Sequence, residues 1–278
     1  MTSPSPFFSA CKRKRVSPIL FTAIKTKHVV AIKKLIRQDH AIVHELNGQL
    51  PALSYAVSLG KIKAATVILE DGVNVNVNLP DCRGRTALHW AAGLGDIDMV
   101  KLLLKYDADV HARAPRGQPP IFDAIPIHAY GVVQILLEHG ASVTAPDGFG
   151  DPPLHRVAHT SSVDTMKVLY HHGANVHAKN RLGWTALHTV AGSNYWDGVP
   201  PAQFLIQKGA DVNALTLNGQ SPLALAVNAR NRLMVDFLLR NGARVDNALL
   251  AYARSLGLYT IVSYLKSIME KYNLEHEN

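Results

Sequence analysis

Cysteine is almost absent from this chain of 278 residues: there are two, Cys11 and Cys82. Two thiols are too few for a disulfide framework or a multi-cysteine zinc site, and a reducing compartment is the simplest fit. Long apolar runs are also missing. Nothing approaches the roughly 20 consecutive apolar residues that span a bilayer. The opening stretch, MTSPSPFFSACKRKR, has no apolar segment of the signal-peptide kind. No G-x-S-x-G elbow, P-loop or G-x-G-x-x-G turn occurs. These absences favour a soluble protein of the cytoplasm, the nucleus or both, without a membrane segment and without a recognisable catalytic motif.

Acid is missing from one end. Residues 1–38 hold nine basic side chains and no Asp or Glu. The remaining 240 residues hold 20 basic and 21 acidic ones, a balance of −1, so the net charge of +8 belongs to the beginning of the chain. A groove that tracks phosphates is basic along its length. This distribution argues against nucleic acid as the main ligand.

What is present is a repeat. With the Leu of T-A-L-H as anchor, related stretches fall at Leu20, Leu53, Leu88, Ile121, Leu154, Leu187, Leu223 and Leu250, in steps of 33, 35, 33, 33, 33, 36 and 27. Four residues before the anchor stand Gly84, Gly117, Gly150, Gly183 and Gly219, where a tight turn takes positive φ. Nineteen residues after it stand Gly72, Gly140, Gly173 and Gly242, with Gly209 three later, as left-handed residues past a helix end. Between these glycines the spacing is helical. Leu88, Ala91 and Ala92 form one apolar stripe, and Val100, Leu103 and Leu104 a second. Thr86, Thr185 and Ser221 precede the first helix as caps, while Pro120, Pro153 and Pro222 stand near its first position. Each repeat reads as turn, short helix, short helix.

G-R-T-A-L-H-W-A-A followed by L-L-L-K-Y-D-A-D-V, and G-W-T-A-L-H-T-V-A with K-G-A-D-V-N, resemble ankyrin repeats over about residues 18–269. The resemblance implies an all-α solenoid of about eight stacked helix pairs joined by β-hairpin turns, with one continuous core. The repeats are expected near 18–46, 47–82, 83–115, 116–147, 148–180, 181–216, 217–246 and 247–269. A tail, 1–17, precedes them and another, 270–278, follows. The first repeat lacks the turn glycine, and the last hairpin is cut by six residues, so both ends read as caps. At Pro119-Pro120 and Pro152-Pro153 the hydroxyl cap is replaced by proline.

Fourteen histidines raise the question of a metal. His89, His155 and His188 share the slot after the anchor, where the resemblance implies a structural role tying helix start to hairpin. His155 and His159 have i, i+4 spacing but no Glu in between at the metalloprotease position. His171, His172 and His177 fall around a helix end. No metal or cofactor is expected from these patterns.

Trp90 is the residue the repeat does not explain. At 100° per residue it points away from Leu88 and Ala92. In the ankyrin fold this slot faces the concave surface. Matching slots hold Tyr55, Asp123 and Arg156, and nearby hairpin positions hold Arg83, Arg85, Arg116, Phe149, Asp151 and Trp184. Trp, Tyr and Arg dominate interface hot spots. These ten residues therefore form the expected binding surface for a protein partner. The competing reading has Trp90 packed on its own hairpin under Arg85. The insertion Gly192–Pro201, with Tyr195 and Trp196, either extends the surface or plugs a loop. The chain is expected to be a monomeric, non-catalytic scaffold or adaptor. Two other readings stay open: a small-molecule or catalytic pocket in the same groove, and a nuclear regulatory cofactor imported through Lys12, Arg13, Lys14 and Arg15. Ser3, Ser5 and Ser17, each before Pro, are candidate phosphorylation sites.

Overall fold

The computed structural model describes residues 18–193 and 198–276, with side chains to residue 270. The basic run Lys12–Arg15, the Ser-Pro sites and the aromatic pair Tyr195 and Trp196 lie outside the described residues. The chain divides into two compact units, Met1–Phe149 and Gly150–Asn278, where the periodicity suggested a single core. Each holds four helix pairs.

In the first unit the pairs are α1 (Pro18–Lys25) with α2 (Val29–Gln38), α3 (Ala52–Ser58) with α4 (Ile62–Asp71), α5 (Ala87–Leu94) with α6 (Ile97–Lys105), and α7 (Ile121–Ala124) with α8 (Tyr130–Glu138). First helices pack on first helices and second on second, so each pair stacks on the next. In the second unit the pairs are α9 (Pro153–Thr160) with α10 (Val163–His171), α11 (Ala186–Gly192) with α12 (Val199–Gln207), α13 (Pro222–Asn228) with α14 (Arg232–Arg240), and α15 (Asn247–Ser255) with α16 (Tyr259–His276). The last helix runs past residue 269, so the backbone of 270–276 continues it.

All eight anchors are buried, and so are their second-helix counterparts, from Ile36, Ile68, Leu103 and Leu136 in the first unit to Leu169, Leu205, Leu238 and Leu265 in the second. Each fully buried side chain of this size contributes about 1.5–3 kcal/mol. That burial sustains helices of four to ten residues, which are marginal alone.

The turn glycines 84, 117, 150, 183 and 219 all have positive φ, as do Gly140, Gly173, Gly209 and Gly242. Gly72 departs from the expectation. Its φ is −81°, and the left-handed residue is Asn74 instead. Gly72 answers to crowding: a Cβ there would come within 2.5 Å of the Ile68 carbonyl oxygen. A second ladder of left-handed residues was not legible in the glycine pattern. Seven residues after the anchor φ is positive at Lys27, Gly60, Gly95, His128, Ser161, Arg230 and Gly257. Only three of these seven are glycine. The turn between paired helices therefore forces the conformation on whatever residue occupies it.

The first hairpin is the one place where strands are assigned among the described residues. Leu46–Asn47 (β1) and Leu50–Pro51 (β2) pair antiparallel. Near the end of the second unit a cavity of about 380 Å³ is lined in part by Gln220, Ser221, Arg244, Asp246 and Tyr252.

Candidate interaction surface

Asp81 organises the hairpin that opens the third repeat. Its Oδ1 accepts from the backbone N–H groups of Arg83 at 2.8 Å and Arg85 at 2.9 Å. Its Oδ2 accepts from the indole N–H of Trp90 at 3.0 Å. The carboxylate is buried, and three donors account for its charge. A buried acid is stable only when satisfied in this way.

Arg85 completes the arrangement. Its guanidinium carbon lies 4.5 Å from the Trp90 ring centroid. Its Nη2 donates to the His89 carbonyl at 3.3 Å and forms an ion pair with Asp123 Oδ1, also at 3.3 Å. Burial pushes the Asp123 carboxyl up to about 6, against the opposing pull of Arg85. Gly93 leaves room for this pair, because a Cβ at that position would sit 3.3 Å from Arg85 Nη2 and 3.6 Å from Asp123 Cβ. Arg85, Trp90 and Asp123 thus form one cluster, and the indole remains partly exposed.

The other expected residues of the first unit are placed individually. Arg83 and Arg116 are exposed on hairpins. Tyr55 is partly exposed and meets the Phe21 ring edge-on at 5.4 Å. Phe149 is 63% exposed, and its backbone N–H is held by Asp147 Oδ1 at 2.9 Å. In the second unit the backbone N–H of Trp184 donates to Asn180 Oδ1 at 3.0 Å, and Asn180 Nδ2 donates to Asp151 Oδ1 at 2.7 Å. Trp184 and Arg156 are both partly exposed. A Cβ on Gly192 would lie 3.8 Å from the Trp184 ring, so the indole lies across that glycine much as Arg85 lies across Gly93.

Asp81 was missed as a site residue. Its signal was present three residues before the turn glycine, where D-C-R-G, D-G-F-G, N-R-L-G and T-L-N-G carry Asp81, Asp147, Asn180 and Thr216. Asp, Asn and Thr in this place accept from backbone N–H groups two or four residues on, as Asx- and ST-turns do.

The histidine slot ties neighbouring repeats together. His89 Nδ1 accepts from the Thr86 backbone N–H at 3.1 Å, which leaves the proton on Nε2 to donate to the Gln118 carbonyl at 3.1 Å. His188 repeats this with Thr185 and Gln220, and His155 Nε2 lies 2.8 Å from the Trp184 carbonyl. Each ring reaches the hairpin of the following repeat. Burial lowers the pKa of His89 and His188. Among the described residues no three His, Cys, Asp or Glu side chains are grouped to hold a metal ion. No described helix is long and apolar enough to cross a membrane.

The model for "Ankyrin repeats (3 copies)" matches residues 75–147 and 121–200, and that for "Ankyrin repeat" matches 218–249. The chain belongs to the ankyrin repeat family. Such domains generally act as protein–protein interaction modules. The ankyrin repeat domain of Bcl-3, a member of the IkappaB family, superposes with a TM-score of 0.70 at 26% identity, covering 80% of this chain and 97% of that one. The human ASB11 ankyrin repeat domain gives 0.68 at 25%, covering 82% and 99%. Among curated proteins, the DNA-binding protein RFXANK of Mus musculus is 37% identical over 27% of this chain and 28% of its own length. The putative ankyrin repeat protein FPV024 of Fowlpox virus is 26% identical over 39% of this chain and 18% of its own. The palmitoyltransferase AKR1 of Eremothecium gossypii is 48% identical over 18% of this chain but only 7% of its own. The chain thus spans less than a third of each of these curated relatives.

Proposed function

We propose that this ankyrin repeat protein is a non-catalytic adaptor whose first unit presents Trp90, Arg83, Arg85, Arg116, Tyr55, Asp123 and Phe149 to a protein partner. Asp151, Arg156 and Trp184 of the second unit contribute in the same way. The observation that carries this reading is the state of Trp90. Its indole is partly exposed yet held at both ends, by Asp81 through the N–H and by Arg85 over the face. An aromatic anchor that is ordered before binding pays less entropy when it binds. The exposed Arg83 and Arg116 on hairpins of the same unit favour a partner with an apolar residue flanked by acidic ones.

The test is quantitative affinity capture with the full chain and its Arg83→Glu, Arg116→Glu variant. These exposed changes should leave melting intact and remove the specific partner. Retention of the same partner by a variant that is folded but reversed in charge would overturn the proposal. A second reading, nuclear import of the same adaptor, rests on Lys12–Arg15.

A further inference from the structure

A different surface of the first unit carries an unbroken apolar pattern. Six and nine residues after the anchor, where the paired helices turn, the side chains of the second, third and fourth repeats are Leu59 and Ile62, Leu94 and Ile97, and Ile127 and Tyr130. All six are between 36% and 55% exposed. Those of the third and fourth repeats are adjacent as well as in register: a Cβ on Gly95 would meet Ile127 Cδ1 at 3.2 Å, and one on Gly131 would meet Ile97 Cδ1 at 3.1 Å. The second unit interrupts this pattern. Val163, Leu256 and Tyr259 keep it, with Tyr259 71% exposed, but Thr160, Ser193, Ala229 and Arg232 break it. The same turn geometry is therefore also built without a large apolar side chain, and no single rung of the ladder is required by the fold. Contiguous exposed apolar surface of this kind marks an interaction site.

Charge at one end and at the middle of the ladder identifies the occupant. Ile62 shares a cavity of about 270 Å³ with Lys27, Lys61 and Lys63, and no carboxylate lines it. At the third repeat Ile97 lies between Asp96 and the exposed Asp98. One end of the ladder is basic and its middle is acidic. An anionic membrane fits the lysines but is repelled by Asp98. A helix with an acidic end and a basic middle fits both. Its length fits too. Neighbouring helices pack about 8–10 Å apart, so three repeats span roughly 16–20 Å. A helix rising 1.5 Å per residue covers that in about 11–14 residues, with apolar side chains seven apart meeting successive repeats.

We propose that the inter-helix edge of the first unit is a second docking surface, which takes an amphipathic helix of a partner protein with its acidic end on Lys27, Lys61 and Lys63. This does not depend on the reading of Trp90. The test uses the full-length chain to select from a displayed library of 15-residue helical peptides, with counter-selection on the Ile97→Lys, Ile127→Lys variant. Enriched peptides should carry one apolar stripe and acidic residues at one end. Their affinity, by fluorescence anisotropy, should fall at least tenfold with the counter-selection variant and stay unchanged with Arg83→Glu, Arg116→Glu. If the isoleucine variant does not fold, Lys27→Glu, Lys61→Glu, Lys63→Glu serves instead, and it should reject acidic-ended peptides and accept basic-ended ones. The proposal is overturned if no amphipathic pattern is enriched, or if scrambled peptides bind equally well. It is also overturned if the edge instead binds phosphatidylserine vesicles through Ile97 and Ile127.

Discussion

Trp90 and Asp81 are nine residues apart in sequence and joined by an indole N–H that donates to the buried carboxylate at 3.0 Å. The bond couples the first helix of the third repeat to the hairpin that precedes it. Trp90 therefore has a structural share as well as an exposed face, which orientation on a helical wheel does not reveal.

The first prediction follows from that bond. Trp90→Phe keeps a ring under Arg85 but strips one donor from Asp81. Leaving a buried acceptor short costs about 1–3 kcal/mol. Denaturant unfolding should show a loss in that range, not the 0.5 kcal/mol or less typical of an outward-facing surface residue. An unchanged midpoint would mean that water replaces the indole at no cost.

The histidines predict an acid-sensitive fold. His89 and His188 have pKa values lowered by burial from 6.5. The unfolded chain therefore takes up protons first as pH falls. The stability from burying them neutral is fully present above about 6.5 and is lost as pH drops below it toward the folded pKa values. Asp123 acts in the opposite sense. Its carboxyl is raised from 3.8 to about 6, so protonation favours the fold between those values and offsets part of the loss. Denaturation midpoints from pH 8 to 5 should fall, and the fall should flatten in His89→Gln, His188→Gln. A midpoint that rises on acidification would give Asp123 the larger share.

The left-handed ladder gives an opposed pair of substitutions. Arg230, with φ of 55°, carries the strain of a Cβ in that region, about 1–2 kcal/mol, against about 0.5–1 kcal/mol of extra chain entropy for glycine. Arg230→Gly should raise stability by up to about 1 kcal/mol. Gly95→Ala should lower it, because φ is 70° and the new Cβ would crowd Ile127 Cδ1 at 3.2 Å. Thermal melting of both variants checks the sign.

Gly183→Val should cost more. Its φ is 74°, and a Cβ there would lie 2.7 Å from the Leu217 backbone nitrogen. Strain and displaced backbone together predict a loss of roughly 3 kcal/mol or more, read from equilibrium unfolding. A loss under 1 kcal/mol would show that the hairpin relaxes freely.

Import is tested in cells. Replacing Lys12 to Arg15 with alanine should move a fluorescent fusion of the full chain toward the cytoplasm without changing its melting temperature. A wild-type fusion already excluded from the nucleus would end that reading.

The sequence by itself determined the repeat, its period, the helix pairs and the buried anchors. Those features are local: a leucine or isoleucine anchor, a turn glycine four before it and an apolar stripe at helical spacing each bear on their own few residues. Tertiary structure decided the rest. Which hairpin His89 reaches depends on stacking, since Gln118 is 29 residues away. Trp90 is partly committed to Asp81 because the hairpin folds back over its helix, and no period of 3.6 encodes that contact. Gly72 is glycine for lack of space and not for its φ, which only the packed neighbours Ile68 and Val75 reveal. Leu59, Ile97 and Ile127 look like ordinary core residues in a helical pattern. They stand exposed because the turn between stacked helices lifts them off the core, and burial belongs to the stack, not to the residue.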